Sequence, residues 1–116
     1  GKKLEGLEPM SILRDLWRLN GVASRWMAGE ISGTSLKAVC AEAGLNFASG
    51  ISDNARQKFE EDYLIDWHGE KVRAEAHIKR GKKAHLVRIH VYFDTERQQV
   101  VVAYIGRHLR DKGSKS

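Results

Sequence analysis

Apolar residues return every three or four positions along the first half of the chain and every second position along much of the second half. From Met10 to Met27, Leu13, Leu16, Trp17, Val22, Ala23, Trp26 and Met27 recur at the spacing that lines up one stripe of an α-helix. Ser11, just after the only proline, Pro9, is a candidate cap, and Gly21 is a candidate interruption. A second helix is predicted from Thr34 or Ser35 to Ala43, with Leu36, Val39, Cys40 and Ala43 as its buried stripe and Gly44 as its stop. Ser52 followed by Asp53 signals a third, which carries Ala55, Phe59 and Tyr63 and runs to about Asp62.

After Tyr63 the period changes. Leu64–Trp67 starts a strand and His68–Gly69–Glu70 reads as a turn. In Lys71–Lys79, Val72, Ala74, Ala76 and Ile78 fall on one face, and Lys71, Arg73, Glu75, His77 and Lys79 on the other. In Val87–Phe93 the apolar row is Val87, Ile89, Val91 and Phe93, opposed by Arg88, His90 and Tyr92. Linked through Arg80–Gly81–Lys82–Lys83, the two segments are expected to form a hairpin whose open face carries imidazoles, cations and a phenol. Asp94–Arg97 is a further turn into Gln99–Ile105, whose unbroken Val100–Ala103 run suits a central strand covered on both faces. Gly106–Arg110 then leaves the sheet, and Asp111–Ser116 reads as a flexible polar tail. Helices followed by strands predict an α+β fold, with N-terminal helices packed on one face of a small twisted antiparallel sheet of three to four strands. One domain spans residues 1–116, helical over 10–62 and stranded over 64–109, without internal repeats.

Composition narrows the partners more than the fold. With 116 residues, 41% hydrophobic and 30% charged, the chain has the make-up of a folded globular domain. A formal charge of +5 and a pI near 9.5 point to an anionic partner. One cysteine, Cys40, excludes an internal disulfide and a cysteine-based zinc site, and its place in an apolar helical pattern predicts a buried, inert thiol in a reducing, cytoplasmic setting. No apolar run approaches the ~20 residues of a membrane span, and no hydrophobic segment follows the Gly-Lys-Lys start to make a signal peptide. The missing initiator Met suggests a trimmed chain or a domain excised from a larger one.

Arg88–Ile89–His90–Val91–Tyr92–Phe93, a short acidic turn, and Val100–Val101–Val102–Ala103–Tyr104–Ile105–Gly106–Arg107–His108–Leu109 together resemble the end of RelE/ParE-type toxins, where an arginine-bearing strand precedes a valine-rich strand closing on a basic or histidine-containing tip. The resemblance implies a compact sheet with helices on one side. In the RelE branch it also implies a ribosome-dependent ribonuclease that works with basic residues and often a tyrosine, without a metal or other cofactor, and that an antitoxin holds in check. It covers the C-terminal part of the chain; the N-terminal half is longer than a minimal toxin of this kind carries. Other metal-free ribonucleases of related fold match equally well.

The residues support that chemistry independently. Metal-free RNA cleavage needs a 2′-hydroxyl deprotonated, a 5′-oxygen protonated and charge on phosphorus stabilised; histidine serves the first two needs and Arg or Lys the third. His77 and His108 are the candidate acid/base pair, Lys79 and Arg88 the phosphate clamp, and Tyr92 a hydrogen-bond donor or stacking platform. Arg73, Lys79, Arg80, Lys82, Lys83, His90, Arg107 and Arg110 are the wider candidate nucleic-acid contacts. The competing reading of all these residues is the solvated face of an antiparallel sheet. His85 or His77 with His90 lacks the carboxylates that would complete a metal site, and Asp62, Asp66 and Glu70 lie where Trp67–His68–Gly69 interrupts a helix. Trp17, Trp26 and Trp67 are read as packing residues.

Two other function classes remain open. Ser35–Leu45 matches the first helix and turn of a helix-turn-helix, although Gly50, Asp53 and Glu60–Asp62 suit a DNA-reading helix poorly. Alternatively, the chain is a noncatalytic module that docks its parent protein on RNA or on another protein.

Overall fold

The computed structural model describes residues 9–32, 35–81 and 86–107. Their order is α1 (Pro9–Met27), α2 (Leu36–Glu42), β1 (Asn46–Ala48), α3 (Asp53–Phe59) with a 3-10 turn over Glu60–Tyr63, β2 (Leu64–Trp67), β3 (Glu70–Arg73), β4 (Ala76–Arg80), β5 (Val87–Asp94) and β6 (Gln99–Arg107). The main sheet is antiparallel in the order β1-β4-β5-β6, and β2-β3 is a separate hairpin. This is the expected α+β class, with α1 and α2 packed on one face. Phe47, Ile78, Ile89 and Val91 from the sheet meet Leu19, Val22, Leu36 and Cys40 from the helices in one core. Phe93 joins its margin, edge-on to Trp26 at 5.2 Å between ring centres.

α1 runs through Gly21 unbroken, because that residue sits on the exposed side, where a missing side chain costs about 1 kcal/mol and no contact. Its buried stripe is Ile12, Asp15, Leu19, Val22 and Ala23, rotated from the expected one. Leu13 and Trp17 are 59% and 81% exposed, so the reading of Trp17 as a packing residue is corrected. The rotation has a polar cause. Buried Asp15 accepts hydrogen bonds from Arg80 Nε at 2.8 Å and Nη2 at 3.2 Å, which ties α1 to the end of β4. The expected stop of α2 holds: Gly44 adopts a φ of +84° and its N–H donates to the Ala41 carbonyl. So does the cap of α3, where Ser52 Oγ accepts the Ala55 N–H at 3.1 Å.

Three expectations are corrected. Lys71–Lys79 is not one strand: it breaks at Ala74–Glu75, where the Ala74 N–H donates to the Tyr63 carbonyl at 2.7 Å. Its first part pairs with β2 around His68 and Gly69, both at positive φ as a tight hairpin requires, and its second part joins the main sheet. Leu45–Ala48, which follows α2, is not a turn into a recognition helix, because its last three residues form edge strand β1 against β4, and this removes the helix-turn-helix reading. β6 is the other edge, not a central strand; Val102 and Ile105 are 42% and 40% exposed. A bulge lies opposite His90 and Val91, which face Tyr104 and Val102 and leave Ala103 as the extra residue.

Asp15→Ala is expected to lower unfolding free energy by about 2 kcal/mol, the value of hydrogen bonds to a charged group. Asp15→Leu combined with Arg80→Met should recover most of the loss, since an apolar pair leaves no orphaned charge. Urea denaturation of the three proteins checks both.

Candidate nucleic-acid interface

The register of β4 against β5 builds the site. His77 lies directly opposite His90, and Lys79 directly opposite Arg88. Residues paired in this way point to the same side of the sheet, here the side away from α1 and α2. β1 adds Asn46 beside Lys79 and Ala48 beside His77. The expected open face is covered at its centre, however. Tyr63, at the end of the 3-10 turn, packs its ring 5.3 Å from that of His90, and Trp67 of β2 donates from Nε1 to Asp94 Oδ2 of β5 at 2.7 Å. Asp94 also accepts the backbone N–H of Arg97 at 2.9 Å and its guanidinium at 3.0 Å, and these donors hold its carboxyl down at about 2.

The two imidazoles stack at 4.6 Å between ring centres and 27° between planes. They are 3% and 1% exposed. Each Nδ1 sits 2.9 Å from a backbone carbonyl, His77 at Glu75 and His90 at Ala74. A carbonyl only accepts, so both rings carry the proton on Nδ1 and leave Nε2 with a lone pair. Burial is the main cause that pushes His77 down to about 4, with the charges of Arg88 and Lys79 acting in the same direction. His90 is lowered chiefly by burial as well, with Arg88 adding to it. Both rings are therefore neutral at neutral pH. His90 is corrected from a candidate nucleic-acid contact to an interior residue behind His77, its Nε2 buried without a partner.

Beside this stack opens a pocket of about 210 Å³ lined by Ala48, Gly50, Ile51, Ser52, Tyr63, His77, Lys79 and Arg88. Three predicted site residues, His77, Lys79 and Arg88, thus come together. Neither cation makes an ion pair or hydrogen bond among the described residues, and Arg88 Nε is buried without a partner. Two like charges placed directly across a sheet repel, so this is an expensive arrangement unless an anion bridges them. Glu75 does not fill that role: Arg56 holds it through Nε at 3.0 Å and Nη2 at 2.8 Å, and Arg73 lies against its outer oxygen.

The other candidates lie elsewhere. Tyr92 is one strand position too far along β5 and lines a different hollow with Trp67, His68 and Asp94. Tyr63 is the phenol-bearing residue of the pocket, missed in the sequence because it ends a helical stripe. Arg73 is occupied by Glu60 on the separate hairpin, and Arg80 points to the opposite face toward Asp15; both are corrected as nucleic-acid contacts of this site. Arg107 is described by its backbone alone, paired with Val87. Lys82, Lys83, His108 and Arg110 lie outside the described residues. Gly106 sits opposite Arg88, where an added Cβ would come within 3.0 Å of the Tyr104 hydroxyl. Among the described residues, no three His, Cys, Asp or Glu side chains gather as metal ligands, and no helix is long and apolar enough to cross a membrane.

Compared with models of known families, with curated proteins and with solved structures, the chain matches none.

His77, held below its unfolded value near 6.5, binds fewer protons folded than unfolded between that pH and about 4, so stability rises with pH across this window, and the lowered His90 contributes with the same sign. Acidification from pH 6.5 to 4 is expected to lower unfolding free energy by about 1 kcal/mol per pH unit through His77, with His90 acting in the same direction. In His77→Asn the slope should fall by the His77 share, about 1 kcal/mol per pH unit, as read from denaturation curves at stepped pH.

Proposed function

We propose that this domain binds RNA as a RelE-like module, seating a backbone phosphate between Lys79 and Arg88. The observation that carries this reading is the pair of unpartnered cations facing each other across β4 and β5 at the mouth of a small pocket. The volume falls below the ~300–1,000 Å³ of sites for drug-sized ligands, which suits a phosphate and its immediate surroundings. A guanidinium offers a phosphate planar N–H donors, and a lysine adds a point charge. The net positive charge favours the same class of partner over long range.

The fuller toxin-type reading adds metal-free cleavage at that phosphate, on the ribosome or off it, with an antitoxin or parent-chain domains as further partners in a cytoplasmic setting. His77 alone serves that chemistry poorly. A base whose conjugate acid titrates at about 4 captures a proton weakly near pH 7, and a ring that is neutral there has no proton to spare from Nε2 for a leaving oxygen. The cleavage reading therefore leans on His108, the other histidine of the expected acid/base pair. The noncatalytic docking reading keeps the same phosphate contact and omits the cut.

Binding of a labelled single-stranded RNA, with cleavage followed in excess EDTA with and without ribosomes, tests these readings together. Arg88→Ala is expected to weaken binding roughly ten-fold, and Lys79→Ala to flatten the dependence of log affinity on log salt by about 0.7. Cutting that survives EDTA and disappears in His108→Ala supports the ribonuclease. Salt-sensitive binding without cutting supports the docking module, and no binding at low salt sinks the RNA reading.

A further inference from the structure

The pocket contains an acceptor as well as two cations, and this combination selects among anions. Resting on the RNA-phosphate reading, we propose that His77 Nε2 accepts a hydrogen bond from the ribose 2′-hydroxyl next to the bound phosphate, so that this residue makes the site specific for RNA over DNA.

His77 lines the pocket, yet only 3% of its surface is exposed. Its Nδ1–H is committed to the Glu75 carbonyl, which fixes the tautomer and turns Nε2 into a pure acceptor. That nitrogen has no partner among the described residues. Stacking on His90 from behind, together with the Nδ1 bond, prevents the ring from turning to offer a donor instead. A phosphate oxygen is itself an acceptor, so a neutral Nε2 repels it and leaves it to Lys79 and Arg88. A group that presents a donor beside an anion meets both halves of the pocket. In a nucleic acid strand the 2′-hydroxyl is such a donor, and DNA lacks it. The charged groups facing the imidazole are Lys79 and Arg88 in the pocket and Glu75 behind it, and the two cations together with burial keep the ring unprotonated through neutral pH. His77 is thus a positioning and specificity residue for the strand.

The test compares binding of fluorescein-labelled r(U)12, d(U)12 and 2′-O-methyl-r(U)12 to the unmodified domain at pH 7.5 and low salt. The RNA is expected to bind roughly five-fold more tightly than either analogue, in line with the net value of one hydrogen bond. His77→Asn keeps an N–H donor for the Glu75 carbonyl and, being shorter, places no acceptor where Nε2 lay. It should bring RNA down to the affinity of DNA and close the gap between the two strands. Equal binding of the three strands by the unmodified domain overturns the inference while the phosphate reading stands. Binding of none of them overturns both. Because the analogues probe the native protein, a misfolded variant does not spoil the comparison, and circular dichroism identifies it.

Discussion

The pairing of β4 with β5 is the constraint on which the rest of this structure depends. Its register sets Ile78 beside Ile89 on the helix side, and His77 beside His90 and Lys79 beside Arg88 on the other. A slip of one residue would turn the apolar row of one strand outward and its polar row into the core, at a cost of several fully buried side chains. One choice of register thus fixes the hydrophobic core and the chemistry of the opposite face together. The Asp15–Arg80 pair fastens α1 to the end of β4 and the Trp67–Asp94 bond fastens the β2-β3 hairpin to the end of β5, so both strands are held from opposite faces.

That a neutral histidine pair and a cationic pair adjoin is a consequence of layering. The Tyr63 turn packs over His90, whereas His77 reaches the edge of the pocket and the next rung, Lys79–Arg88, opens into it. Burial then lowers the affinity of the imidazoles for protons, and the neighbouring cations lower it further. Two rungs of one hairpin acquire opposite characters, one a row of lone pairs and the other a row of positive charge.

Much of this was legible in the sequence, and what was not has identifiable causes. Alternation in Val87–Phe93 placed Arg88, His90 and Tyr92 on one face, because a strand has period two whatever surrounds it. The same rule overreached across Ala74–Glu75, where the chain changes sheets without losing its alternation. Helical spacing in α1 admitted two overlapping stripes, and a buried ion pair with a residue 65 positions away selected the one that leaves Trp17 in solvent. β1 is three residues long and carries no pattern of its own; its pairing with β4 creates it. Whether a polar face lies open or covered is decided by what folds over it, and alternation is silent on that. His90 and Tyr63 were misjudged for this reason.

The distribution of counter-charges shows where the positive excess acts. On β3, β4 and β5 the described basic side chains are Lys71, Arg73, Lys79, Arg80 and Arg88. Lys71 meets Asp66, Arg73 meets Glu60, and Arg80 meets Asp15. Glu75, the carboxylate nearest the histidines, is held by Arg56, which also takes Asp53. Acid groups around the sheet are thereby neutralised by cations outside the pocket, and the two cations left over are neighbours on one rung. Had Glu75 been free to turn toward Lys79 or Arg88, the pocket would be self-satisfied and indifferent to phosphate. The Arg56–Glu75 pair borders the pocket beside Gly50 and keeps that carboxylate engaged, and it follows directly on the break at Ala74–Glu75 that interrupts the predicted strand.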